Sequence, residues 1–203
     1  MSARSLEWQS KAILLLVVPC TAVEVVLRAR GFAESAPDAM GWTLGLSAAL
    51  GLLALIARAG TAAAAATGAL LTASLMFSTA GEPFAPWRTA LVPVLAFMVI
   101  TSGATRFGRG RKERLGTAEA RHGRGAAQVA ANLGMAALVA LPAVQGWMAD
   151  GRWFGVTGLG RMAVFTLSMA ALAEAAADTV SSEMGQVLGG RPWMLTTLRR
   201  VEP

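Results

Sequence analysis

Residues 164–177 read VFTLSMAALAEAAA and run directly into residues 178–190, DTVSSEMGQVLGG. The first stretch is apolar and alanine-rich, the composition of a buried or membrane-spanning helix. The second collects acids, hydroxyls and glycines where such a helix would meet water. Ionisable groups at a membrane boundary are costly to keep without a partner or a task. At helical spacing Glu174, Asp178 and Ser182 fall at i, i+4 and i+8 on one stripe. Two carboxylates and a hydroxyl on one stripe suit a hard cation such as Mg²⁺ and, through it, a phosphate. The plainer reading of the same pattern is a helix end decorated with water-facing residues.

Working outward, the whole chain has the composition of a membrane protein. Of its 203 residues 55% are hydrophobic and 15% charged, and the mean hydropathy is +0.53, well outside the range of soluble domains. Apolar runs occupy residues 12–29, 42–57, 61–77, 90–104, 126–149 and 156–177. A span needs about 20 apolar residues, and three of these runs are short and rich in Ala and Gly. The expectation is therefore about six spans, with five to seven compatible. Segments such as GTAAAAATGA at 60–69 favour close helix–helix approach over a leucine-rich lipid face. No alternating strand pattern competes, so the expected fold is an all-α polytopic transmembrane bundle, a single integral membrane domain over residues 1–203.

The first run lacks a small-residue cleavage site and carries Glu24 late, so it reads as a retained span and not as a signal peptide. The one cysteine, Cys20, forms no intramolecular disulfide, and the lone His122 excludes a multi-histidine metal site. Arg106, Arg109, Arg111, Lys112, Arg114, Arg121 and Arg124 cluster between the fourth and fifth runs. Basic short loops stay in the cytoplasm, so a cytoplasmic loop at about 105–125 and two cytoplasmic termini are expected in the cell membrane. That topology accounts for most of the 18 basic residues and for a pI near 11.2 without a nucleic-acid partner. Glu24, Arg28 and Arg161 lie in or at spans and are expected to pair across helices.

The same topology brings the basic loop and the acidic end of the sixth run to one membrane face. A positive cluster can hold phosphates and a negative one a metal, the combination phosphoryl transfer uses for positioning and charge neutralisation. The basic segment is also rich in glycine (Gly108, Gly110, Gly116, Gly123, Gly125), which lets backbone N–H groups approach an anion while arginine forks bind it. Gln128 and Asn132 follow at i, i+4 inside a span, where amides need partners in the bundle or a ligand. A positive-inside anchor on acidic lipid, with the amides as interhelical glue, is the alternative.

Two blocks carry a family resemblance. The first is Lys112, Leu115 and Gly116, then Arg121, Gly123, Arg124, Gln128, Val129, Asn132 and Gly134. The second is Ala177-Asp178-Thr179-Val180-Ser181-Ser182-Glu183 with Gly185, Gly189, Pro192, Leu195, Thr196 and Thr197. Over roughly residues 90–203 the chain resembles the integral membrane proteins of domain-of-unknown-function 92. That family includes transmembrane protein 19 and the plant phytyl-phosphate kinases. Members usually run on past a Val-Glu-Pro-like triplet, whereas this sequence stops at Val201-Glu202-Pro203, so the resemblance implies a truncated or shortened member.

The resemblance implies a prenyl-phosphate kinase-like phosphotransferase at the cytoplasmic face, with CTP or another nucleoside triphosphate as donor and an isoprenoid monophosphate as acceptor. It implies Mg²⁺ on Asp178 and Glu183, with Glu174 as a third ligand. Lys112, Arg121 and Arg124 would take the phosphates, Gln128 and Asn132 would line the site, and Ser182, Thr196 and Thr197 would contribute hydroxyls. The alternative is a non-catalytic transporter or lipid-binding scaffold that uses the same charged face.

Overall fold

The computed structural model describes residues 3–116, 123–150, 161–189, 193–194 and 199–200. The chain folds as an all-helical bundle: α1 (Ala3–Ser35), α2 (Pro37–Ile56), α3 (Ala62–Thr79), α4 (Leu91–Arg106), α5 (Arg109–Leu115), α6 (Ala126–Ala140), α7 (Pro142–Asp150) and α8 (Arg161–Leu188). A 3₁₀ turn, Pro86–Arg88, precedes α4. The extended structure among the described residues is a two-residue antiparallel pair, Trp193–Met194 with Arg199–Arg200.

Each apolar run of the sequence contributes to a helix, but the runs do not all cross a membrane unbroken. Helices α1, α2 and α3 are each long and apolar enough to do so, and the bent pairs α4–α5 (57°) and α6–α7 (62°) raise the number from 3 to 5. Among the described residues the count thus reaches the lower edge of the expected five to seven. Local chemistry explains the breaks. Proline drives the residue before it out of the helical region, and Leu141, ahead of Pro142, is extended with ψ 131°. After α4, Phe107 is extended and Gly108 takes the left-handed region, so α5 leaves at an angle to α4. Helix α8 has 28 residues, about 42 Å at 1.5 Å per residue, but Glu174, Asp178 and Glu183 load its second half with charge.

Helix α3 is the hub, and its small residues allow it. It packs on α2, α6 and α1, while α6 in turn packs on α1 and α8, and α4 on α8. A side chain at Gly51 would meet the carbonyl oxygen of Ala65 at 3.1 Å, so α2 approaches α3 at backbone contact. Val17, Leu71, Leu75, Val94, Phe97, Leu133 and Leu172 form the main core with the alanines of α6. Exposed Leu15, Leu16, Leu27, Leu52, Leu53, Ile56, Val99 and Ile100 cover the outer faces of α1, α2 and α4. Apolar area this extensive marks a surface that faces lipid or a partner.

Within the bundle, most buried polar side chains find partners, as a medium without water demands, Thr43 Oγ1 on α2 and Gln186 Oε1 on α8 being exceptions. Thr72 and Thr79 donate to the carbonyls of Gly68 and Leu75, and Ser168 donates to Ala136 on α6. Glu24 is buried; Arg28 Nε lies 2.6 Å from its Oε1, and Ser74 Oγ donates to its Oε2 at 2.5 Å. The expected pairing of Glu24 across helices is therefore a pairing within α1, extended to α3 through Ser74 and through Arg28 Nη1 on the Phe77 carbonyl at 3.3 Å. The side chain of Arg161 lies outside the described residues. Removing one partner of a buried pair costs about 3–5 kcal/mol, because the other charge is left uncompensated. Glu24→Ala should accordingly lower the thermal unfolding temperature in detergent, and Glu24→Gln, which leaves Arg28 equally uncompensated but can still accept from Ser74, should lower it somewhat less; equal temperatures for wild type and Glu24→Ala would show that the pair contributes nothing.

Candidate functional site

At the end of the bundle away from Glu24, two loops are sewn together by main chain. Thr61 N donates to the Arg124 carbonyl at 3.0 Å and Arg124 N donates to the Ala59 carbonyl at 3.1 Å, a short parallel bridge between the α2–α3 loop and the segment entering α6. Gly123 makes the approach possible. Its φ is +73°, and a Cβ there would sit 2.6 Å from the Ala59 carbonyl carbon.

A second joint is ionic. The left-handed Gly108 bends the chain after α4, so the long Lys112 side chain on α5 reaches the end of that helix. The buried Lys112 Nζ donates to the carbonyls of Ala104 (3.0 Å) and Thr105 (3.1 Å), groups a helix C-terminus leaves over. Its third donor meets Glu183 Oε2 on α8 at 2.5 Å. Thr105 Oγ1 donates to Glu183 Oε1 at 3.2 Å and accepts from Arg124 Nη2 at 3.0 Å, while Arg124 Nη1 donates to Thr101 Oγ1 at 3.3 Å. The basic and acidic blocks of the sequence thus meet, with Glu183 and Arg124 sharing one threonine hydroxyl.

This network borders a cavity of about 490 Å³, within the range of small-molecule sites. Helices α2 and α4 form its walls through Leu50, Ala54, Val94 and Phe97, and α3 and α6 line it through Ala65, Gly68, Val129 and Leu133. Its polar end carries Arg58, Arg106, Arg109, Lys112 and Arg124, with Asn132 and Thr105, and no acidic side chain lines it among the described residues. The result is an apolar slot with a cationic end, complementary to an amphiphile with an anionic head. Arg109 also pairs with Glu113 at 2.9 Å on the exposed side of α5.

Of the residues singled out in sequence, Lys112, Arg124 and Asn132 line the cavity, and Glu183 supports it through Lys112 and Thr105. Gln128 is exposed and spends its Oε1 on the Gly125 N–H at 2.8 Å, where it caps its own helix. Glu174, Asp178 and Ser182 share α8 but are exposed and do not line the cavity. Arg121, Thr196 and Thr197 lie outside the described residues. No three Asp, Glu, His or Cys side chains converge on a point among the described residues, and both oxygens of Glu183 are engaged. Glu174 and Asp178, one turn apart, are the carboxylates of α8 left available to a cation. Arg58, Arg106 and Arg109 at the mouth went unassigned in sequence; charge alone hinted at them, and Arg58 stands far from the main basic cluster in the chain.

A helical membrane protein whose bundle encloses a cation-ended, apolar-walled cavity is the class this fold and site define. The chain belongs to the DUF92 family of integral membrane proteins, whose sequence profile matches residues 45–203. The match extends well upstream of the two blocks on which the resemblance rests and takes in the latter part of α2 and all of α3. An uncharacterized membrane protein of Synechocystis sp. is 36% identical over 116 residues, 57% of this chain and 41% of the relative. The chain therefore spans less than half the length of the curated relative it matches. No solved structure matches the chain.

The Lys112–Glu183 joint is open to a double-mutant cycle. Lys112→Met and Glu183→Gln should each destabilise the protein, and the double variant should lose about 1–3 kcal/mol less than their sum, the coupling of groups in direct contact. Strict additivity of the three unfolding free energies would remove the pair from the network.

Proposed function

We propose that the protein binds an isoprenoid monophosphate in the α2–α3–α4–α6 cavity and transfers a phosphoryl group to it from a nucleoside triphosphate. The observation that carries the reading is the cavity itself, with five basic side chains at one end and apolar helix walls behind them. An isoprenoid tail loses nothing by leaving lipid for such walls, and its phosphate needs the cationic end. In the reaction a terminal oxygen of the acceptor monophosphate attacks the γ-phosphorus of the donor. A new P–O bond forms, the β–γ bridging bond breaks, and the nucleoside diphosphate departs. The residues of this chain bind and position. Arg124, held by Thr101 and Thr105 and turned to the cavity, is fixed to hold a phosphate oxygen, and Asn132 offers an amide beside it. Lys112, with its donors committed, positions Glu183 and α4.

Mg²⁺ commonly uses one or two protein carboxylates together with substrate phosphates. In this reading Asp178 and Glu174 would hold such an ion for the nucleotide, where it would supply charge neutralisation for the transferring group. The basic end faces the cytoplasm, where positive loops are retained and nucleotide is available; with α8 taken as a sixth crossing, both termini lie on that side of the cell membrane. A second reading has support of its own: Glu174 and Asp178 stand apart from the cavity lining, as in a membrane protein that binds anionic lipid without chemistry.

Single-turnover transfer from labelled CTP or ATP, with Mg²⁺, onto geranylgeranyl monophosphate in detergent tests the proposal. Wild type should form the diphosphate, and Asp178→Asn should slow it by about 100-fold or more, as loss of a charge-stabilising group does, with acceptor binding unchanged. Arg124→Gln should weaken acceptor binding. Binding without product from any donor would leave the non-catalytic reading standing and end the kinase one.

A further inference from the structure

Arg58 occupies a backbone position that does not suit it. Helix α2 ends in a closed turn in which Arg58 N donates to the Leu55 carbonyl at 3.0 Å and Ala59 N donates to the Ala54 carbonyl at 2.9 Å. This is the helix-ending motif whose left-handed residue is ordinarily glycine. Here it is arginine, at φ +52°, the one described non-glycine residue with positive φ. A side chain in that region carries a steric cost that persists only where something compensates it. Glycine stands two positions later, at Gly60, where it meets the Arg124 carbonyl instead.

The side chain held in this way lines the cationic end of the cavity. It is exposed, and among the described residues it forms no ion pair or side-chain hydrogen bond, in contrast to Lys112, Arg109 and Arg124. Its loop is fixed on both sides, by the end of α2 and by the main-chain bridge to Arg124. An uncommitted guanidinium on a rigid corner, facing an apolar slot, has the geometry of a bidentate phosphate anchor.

We propose that Arg58 is the residue that selects a monoester phosphate on an apolar tail over the corresponding alcohol, and that its left-handed backbone is retained for that recognition. The inference rests on the reading of the cavity as a phospho-amphiphile site, but does not require phosphoryl transfer. It makes an unusual demand: the substitution that relieves the backbone should improve stability and harm binding.

The test measures binding of geranylgeranyl monophosphate, geranylgeraniol and inorganic phosphate to the full chain in detergent by tryptophan fluorescence, with thermal unfolding in the same detergent. Wild type should bind the monophosphate at least about tenfold more tightly than the alcohol or free phosphate, a difference of about 1.4 kcal/mol. Arg58→Gly should raise the unfolding temperature by about 2–4 °C and remove most of the preference over the alcohol, Arg124 keeping the rest, while the preference over free phosphate, which the tail supplies, persists. Arg58→Gln should lose as much of the preference over the alcohol without the gain in stability, and Arg58→Lys should keep part of it. A full preference in both Arg58→Gly and Arg58→Gln would overturn the assignment of Arg58 while leaving the cavity reading intact. Wild type that does not distinguish the monophosphate from the alcohol would defeat the cavity reading, and this assignment with it.

Discussion

The cationic end of the bundle hangs on one ion pair. Lys112 and Glu183 are 71 residues apart in sequence, and their contact fastens α5 to α8 and gathers the last carbonyls of α4 beneath the same ammonium. From Glu183 the bonding continues through Thr105 to Arg124, and from the Arg124 main chain to residues 59 and 61 at the start of α3. A single connected path therefore runs from the last long helix to the second. In surroundings of low dielectric each link is stronger than in water and each broken link is dearer, so the mouth of the cavity is set by the path as a whole.

The two ends of the bundle handle charge in opposite ways. Near Ser74 one carboxylate meets one guanidinium, and both also find partners on α3. The arrangement is closed, as a buried ion pair must be if it is not to destabilise the fold. At the other end five cations line the cavity and Glu183 answers only Lys112 directly. The unbalanced charge sits beside apolar walls, where a field is poorly screened and an anion is drawn in. The contrast is between an ion pair closed on itself and a set of cations left open to the cavity.

Much of this was legible in the sequence, and the missing parts have physical causes. The apolar runs predict helices because a chain in lipid must bond its backbone internally, and the small-residue segment at 60–69 predicts the close approach of α3 to its neighbours. The meeting of the basic and acidic blocks follows from topology, and Lys112, Arg124 and Asn132 line the cavity, although Lys112 spends its ammonium on Ala104, Thr105 and Glu183 and not on an open phosphate position. Side-chain direction is harder. Asp178 and Glu183 stand five residues apart on a helix, so they point to different sides, and only Glu183 turns inward. Gln128 has the spacing of a site residue, yet it sits in the first turn of α6, where a free N–H is within reach. Arg58 was invisible as a site residue, since its role depends on a loop contact with a segment more than 60 residues away.

The bridge between residues 59–61 and Arg124 consists of main-chain atoms alone, and main-chain bonds do not depend on which side chain is attached. The architecture at the mouth therefore has two separable parts: position 124 joins the two loops through N–H and C=O groups, while its guanidinium carries the separate link to Thr101 and Thr105 on α4. A substitution there leaves the join between the loops intact and removes only the tie to α4, so the course of the chain and the lining of the mouth respond to different changes.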